Sequence, residues 1–185
     1  VINGGGYIAL EFAGIFASLG AQVTLVYRGK NILRGFDHDI SSFIREEYIK
    51  NKIQVLTEVE INSVSKNKKG LLAILSNGLE ITSNEVMFAT GRVPNTNGLG
   101  LEKLGISLGG IEEIIVDENN ETNIKNIYAI GDVTNRINLT PVAIAEGQVF
   151  SDNLYGDVKK ICDYENVASA VFSQPAIGVV GLNEI

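Results

Sequence analysis

Apolar and polar positions change period along this 185-residue chain, and each change predicts an element. Val1-Ile2-Asn3 is a short apolar run that enters Gly4-Gly5-Gly6. Beyond it Ile8, Phe12, Ile15, Phe16 and Leu19 recur at helical spacing until Gly20 supplies a stop. Gln22 to Tyr27 (QVTLVY) is a β-branched run that predicts the second strand of a β-α-β unit. Asp39 to Lys50 sets Ile40, Phe43, Ile44 and Tyr48 on one helical face, which should pack on the sheet. Between Ile53 and Ser83 come short strand candidates, with LLAILS and LEITS joined by Asn77-Gly78, a two-residue hairpin turn. That stretch predicts an antiparallel meander off a parallel sheet, and EVMFAT (Glu85 to Thr90) then predicts a further buried strand. Residue 1 already lies in a strand, so this pattern is expected to continue something upstream.

The composition shifts over Gly109 to Asn126, which is rich in Gly, Asp, Glu and Asn around one short strand candidate, IIVD. A buried strand is expected to resume at Ile127 to Asp132 (IYAIGD), and Leu139-Thr140-Pro141 predicts a helix start with Pro141 in its first turn. No repeat or low-complexity tract interrupts the pattern. The class is α/β, with a Rossmann-like doubly wound sheet carrying an antiparallel meander, followed by part of a second domain.

Charge narrows the partners. Fifteen basic and 22 acidic side chains give a net charge of -7, which disfavours nucleic acid and anionic membrane, so any anion site must be local. No run approaches the roughly 20 apolar residues of a membrane span. The single cysteine, Cys162, can form neither an internal disulfide nor a CxxC pair. These features predict a soluble, cytoplasmic protein without a metal site.

The chemistry begins in the opening turn. Gly4-Gly5-Gly6-Tyr7-Ile8-Ala9 is a G-x-G-x-x-A fingerprint. Gly4 permits the tight turn, Gly6 lets a pyrophosphate approach the backbone at the helix N-terminus, and Ala9 lets helix and strand pack closely. A dinucleotide site for NAD usually has Asp or Glu about 20 residues on, at the end of the second strand. Here the strand ends in Tyr27-Arg28, followed by Gly29-Lys30-Asn31-Ile32-Leu33-Arg34. Guanidinium forks suit a 2′-phosphate, which favours NADPH. The alternative is a solvated basic loop; its place at the strand's carboxyl end favours the phosphate. Gly91 lies in a turn in the same kind of position, after EVMFAT. Asp132 ends its predicted strand, where it either accepts bonds from a ligand hydroxyl or caps the next turn.

GGGYIALEFAG, VTLVYRGKNILRGFD, FATGRVPNT, IYAIGDVTNRINLTPVAIAEG and VASAVFSQPAIGVVGL occur in an order that resembles the flavoprotein disulfide oxidoreductases, the glutathione reductase branch above all. Dihydrolipoamide dehydrogenases differ by carrying Glu where Tyr27 stands, whereas trypanothione reductases share the YRG and LRGFD pieces but usually have a longer connection than ASLGAQ. The resemblance implies an NADPH domain at 1–117, the second part of an FAD domain at 118–157 and the start of a dimer-interface domain at 158–185. It implies homodimers, and electrons passing from NADPH to FAD, then to a redox disulfide, then to glutathione disulfide. The redox cysteines and the acid/base His-Glu pair of the family match nothing in this chain, so no catalytic residue is expected within it and the chain alone should be inactive. A non-catalytic NADPH-binding module is the rival reading, which IYAIGD and LTPVAIAEG disfavour.

The same resemblance implies roles by position. Gly4, Gly6, Ile8 and Ala9 would line the pyrophosphate turn, Arg28 and Arg34 would hold the 2′-phosphate, and Gly91 would border the nucleotide. Tyr7 would cover the nicotinamide pocket, and Glu11 would lie near nicotinamide and flavin. Asp132 would bond the ribityl chain of FAD, with Thr140 facing the isoalloxazine. Cys162 is expected to be an ordinary thiol and His38 a solvated residue, while Ala176 departs from the usual proline of its motif.

Overall fold

The computed structural model describes residues 1–182, in two compact units: Val1–Gly91 with residues 168–182, and Arg92–Val167. The first unit is a parallel sheet of β1 (Ile2–Asn3), β2 (Thr24–Tyr27), β3 (Gln54–Thr57) and β7 (Met87–Phe88), in the order β3-β2-β1-β7. Ile2 pairs with Leu25 on one side and Met87 on the other, so chain order reverses at β1. Such a reversal opens a crevice at the carboxyl ends of its strands. Helices α1 (Tyr7–Ser18) and α2 (His38–Lys50) cover the sheet.

The meander formed as expected from β4 (Ile61–Asn67), β5 (Gly70–Leu75) and β6 (Glu80–Ser83). Its second turn is held by the Gly78 N–H on the Leu75 carbonyl and by the Leu79 N–H on Asn77 Oδ1, with Gly78 at φ 84°. A hairpin of β8 (Ser169–Val171) and β9 (Ile177–Val179) returns to this unit and buries Val171 in its core.

Three expectations need correction. On α1 the buried residues are Ala9, Leu10, Ala13 and Gly14, while Phe12, Ile15, Phe16 and Leu19 are exposed. Small side chains let the helix lie close to the sheet, and the large ones are left outside. On α2, Ile44 and Tyr48 are buried but Ile40 and Phe43 are exposed, so the packed stripe is narrower than the periodicity indicates. EVMFAT supplies only two strand residues, at the sheet edge, with Phe88 exposed.

In the second unit, α3 (Leu101–Leu104) and the bridges Leu108–Ile114 and Glu121–Tyr128 surround a core of Leu101, Ile106, Ile114 and Ala129. IIVD and IYAIGD do not form strands. Among the described residues, IYAIGD pairs only with residues 120–122, through Ala129 N–H to Asn120 O and Thr122 N–H to Ile127 O, before the backbone tightens into a 3-10 turn at Gly131–Thr134. Helix α4 (Thr140–Tyr155) begins where Pro141 predicts.

Candidate functional site

The opening glycine turn is built around close backbone approach. Gly4 has φ 147°, and a methyl carbon placed on it would lie 2.2 Å from the Ala89 carbonyl oxygen of the strand next door. Gly5 is buried against the Tyr27 ring. Gly6 faces open space, so nothing blocks a ligand from its backbone. It is also the N-cap of α1, and no side chain caps the helix there. The first N–H groups of a 12-residue helix are therefore turned to whatever enters the turn, which fits a pyrophosphate. Ala9 is fully buried, Ile8 half-buried and Tyr7 exposed by 40 % at the first helical position.

Beside the end of β2 lies a cavity of about 400 Å³ lined by Tyr27, Gly29, Lys30 and Arg34, with Phe36, His38 and Ser41 on α2 and its approach. Arg34 and Lys30 bring positive charge to it, and Asp37, whose Oδ1 accepts the Asp39 N–H at the start of α2, brings the one carboxylate of its lining. Arg28, flanked by two lining residues, is itself not part of the lining. Among the described residues neither Arg28 nor Arg34 has an ion-pair partner, so both guanidiniums remain available to an anion. His38 is exposed, 3.5 Å from Ser42 Oγ, and its place on the cavity rim goes beyond the solvated role expected for it.

Glu11 is committed within the unit: its Oε1 accepts the Phe172 N–H at 2.9 Å. Nearby, buried Tyr48 donates to the Leu10 carbonyl at 2.7 Å, and burial pushes its phenol up to about 12. Gly91 ends this unit, exposed and at φ 133°.

In the second unit Asp132 sits in the 3-10 turn, exposed, with Oδ2 3.8 Å from Arg92 Nε. Both groups are open to water, so this pair contributes little to stability and leaves the carboxylate free to accept other donors. Thr140 is exposed at the first position of α4, whose N-cap Leu139 offers no side-chain cap. Just before it, Asn138 Oδ1 is buried without a hydrogen-bond partner. An orphaned acceptor, an uncapped helix start and an available carboxylate are a donor and acceptor set that fits a hydroxyl-bearing, carbonyl-bearing cofactor such as a flavin.

Cys162 is half-buried, and burial pushes its thiol up, away from the thiolate that exchange chemistry needs. No group of three or more His, Cys, Asp or Glu side chains forms a metal site among the described residues. Ala176 is exposed.

A sequence profile described as "Pyridine nucleotide-disulphide oxidoreductase" matches residues 1–147. The chain belongs to that family. It is 46% identical over 183 residues to a glutathione reductase of Burkholderia cepacia, covering 99% of this chain and 41% of that protein. It is 47% identical over 184 residues to the chloroplastic/mitochondrial glutathione reductase of Pisum sativum, covering 99% and 33%. A trypanothione reductase of Trypanosoma congolense is 43% identical over 185 residues, covering 98% and 38%. Among solved structures, LpdA from Mycobacterium tuberculosis superposes with a TM-score of 0.92 at 30% identity, covering 99% of this chain and 40% of that one. The HOCl-induced flavoprotein disulfide reductase RclA from Escherichia coli superposes at 0.93 with 29% identity, covering 99% and 42%. The α/β, Rossmann-like reading therefore stands, in a family of flavoprotein disulfide reductases, and the chain spans about two-fifths or less of these relatives. No helix among the described residues is long and apolar enough to cross a membrane.

Sequence reasoning missed two features of the site. One is the Tyr27 ring lying against Gly5 and Gly29, which only coordinates reveal. The other is Glu146, a carboxylate 1% exposed on α4. Its signal was available: Glu146 stands four residues after Val142, on the buried face of that helix.

Proposed function

We propose that the first unit binds NADPH and that the second contributes part of a flavin site, in a disulfide reductase whose substrate is glutathione disulfide. The observation that carries the nucleotide assignment is the cavity at the end of β2, where Arg34 and Lys30 stand and no acidic residue occupies the strand end. Gly4, Gly6, Ile8 and Ala9 would receive the pyrophosphate, Arg34 and Arg28 the 2′-phosphate, and Gly91 would border the nucleotide. Tyr7 would shield the nicotinamide, with Glu11 beside it; Asp132 and Thr140 would hold the polyol and ring of FAD. When bound, the nicotinamide and the flavin would supply hydride transfer. This chain's residues would bind, orient and exclude water.

Reduction of a disulfide by exchange needs a thiolate and a resolving thiol, and the chain has one cysteine with a raised pKa. It should therefore bind nucleotide without reducing glutathione disulfide by itself. Glutathione reductases at 43 to 47% identity, two of them above the 43% of the trypanothione reductases, favour glutathione disulfide as the substrate. Domain borders near 117 and 157, a homodimeric parent and a cytoplasmic setting belong to the same proposal. The compact units divide at Gly91 and Val167, so the borders in particular need a test by limited proteolysis.

Calorimetric titration with NADPH and NADH tests the main reading. Tighter binding of NADPH supports it, and equal affinities would refute the phosphate assignment.

A further inference from the structure

Among the described residues Glu146 is the one buried acidic side chain, at 1% exposure, and it has no ion-pair partner. A lone buried carboxylate is costly unless its oxygens are bonded. Both are. Oε2 accepts the Gly131 backbone N–H at 2.5 Å, and Oε1 accepts the Tyr164 hydroxyl at 2.7 Å. The Tyr164 oxygen accepts in turn from Arg136 Nη1 at 2.9 Å, and the same guanidinium bonds Asn120 Oδ1 at 2.8 Å, the Val116 carbonyl at 3.2 Å and the Asp117 carbonyl. Its carbon also lies 5.5 Å from the Tyr164 ring centroid. Carboxylate and guanidinium are thus joined through one phenol.

What the carboxylate holds is informative. Gly131 immediately precedes Asp132 and has φ 71°, with its α-carbon packed so closely that an added methyl would lie 3.2 Å from Ala143 Cβ on α4. Glu146 lies on the helix that begins at Thr140. One short charge-assisted bond therefore ties the turn bearing Asp132 to the helix bearing Thr140. Asp132 itself is exposed and its side chain has only a long ion pair; the other bonds of its turn, from Thr134 Oγ1 to the Gly131 carbonyl, from the Asn135 N–H to the Asp132 carbonyl and from the Ile114 N–H to the Val133 carbonyl, do not reach α4.

We infer that Glu146 is a positioning residue for the flavin: by holding the Gly131 N–H it sets the distance between the Asp132 carboxylate and the start of α4. This rests on the reading of Asp132 and Thr140 as flavin contacts. Tyr164, itself held by Arg136, bonds the carboxylate's other oxygen and fixes its orientation.

The test is a graded series in the whole protein that carries this chain, stripped of flavin and titrated with FAD: wild type, E146Q and E146A. Flavin fluorescence gives the affinity, visible circular dichroism of the bound flavin its setting, and NADPH titration serves as a control on the other unit. E146Q keeps a neutral acceptor and should bind FAD about two- to fivefold more weakly; E146A keeps none and should lose about tenfold or more, with NADPH affinity unchanged. The visible bands should shift in the same order. FAD affinity and bands flat across wild type and E146Q would overturn the inference, even if E146A lowers the melting temperature or fails to fold, since the carboxylate would then be structural only. A wild type that takes up no FAD would overturn the flavin reading and this inference with it, a result distinct from a flat series.

Discussion

Replacing Gly5 with Ala tests whether the Tyr27 ring is held against the glycine turn. Gly5 is buried, and a methyl carbon on it would lie 2.4 Å from Tyr27 Cγ and 2.6 Å from both Cδ atoms. Ordinary contact for such atoms begins near 3.4 Å. The ring must therefore give by about 1 Å; it is half-buried, packed against the core on one side and facing the cavity on the other. Gly29 limits the escape, because the position of its absent Cβ is only 2.6 Å from Tyr27 Cε1 and 2.9 Å from the hydroxyl. Overpacking of this kind costs about 1–3 kcal/mol. Gly5 does not have the positive φ of Gly4, so backbone strain does not add to that figure. In a Tyr27→Ala background the same Gly5→Ala change should cost less than about 0.5 kcal/mol, because the ring is gone. Urea denaturation followed by circular dichroism on wild type, both single variants and the double variant gives the coupling energy. Equal costs with and without the ring would refute the reasoning and leave the glycine required for some other reason.

Other outcomes follow from the same coordinates. Arg34→Leu should weaken NADPH binding about tenfold or more with NADH unchanged, and Arg28→Leu should do so less, since Arg28 does not line the cavity; calorimetry decides, and equal losses for both nucleotides would remove the selectivity argument. Tyr7→Ala should cost under about 1 kcal/mol of stability rather than the 3–5 of a buried aromatic, because Tyr7 is 40 % exposed; a larger loss in a urea titration would place the ring in the core. Asp117 accepts the N–H groups of Glu121 and Asn119, and these bonds hold its carboxyl below the usual carboxylate range. A depressed folded pKa stabilises above the unfolded value and is lost as pH falls through the folded one, so Asp117→Ala should destabilise at pH 7 and approach wild type as the pH falls below the ordinary carboxylate value of 3.8. A stability difference constant from pH 7 to pH 3 would contradict it.

Much of the first unit was legible because its signals are local. Asn77-Gly78 specifies a turn whatever surrounds it. The glycine fingerprint works the same way, since a φ of 147° at Gly4 and a 2.2 Å approach to Ala89 leave room for no other residue. The second unit was less legible. IYAIGD is apolar enough to be buried, yet a strand also needs neighbours to accept and donate its ladder bonds, and apolarity does not report them. With residues 120–122 on one edge, only a bridge forms. Glu146 escaped for a related reason: its partners Gly131 and Tyr164 lie 15 and 18 residues away, and no spacing rule connects them.

Helix α1 shows how the same period can point to either face. Phe12, Ile15, Phe16 and Leu19 satisfy the helical repeat, but so do Ala9, Leu10, Ala13 and Gly14. Only one set can meet the sheet. The fingerprint decides between them, because the turn at Gly4–Gly6 brings the helix start hard against β1, and the small residues Ala9, Ala13 and Gly14 make room there for one large side chain, Leu10. Leu10, fully buried, should therefore carry the stability of the helix, and Leu10→Ala should cost about 2–5 kcal/mol. Leu19 fits the helical period but is 79% exposed, so Leu19→Ala should cost under about 0.5 kcal/mol. Urea titrations of the two variants give the contrast directly. Losses of similar size would mean that the large apolar face packs after all, and the account of why this glycine-rich turn selects Ala9 and Ala13 would fail with it.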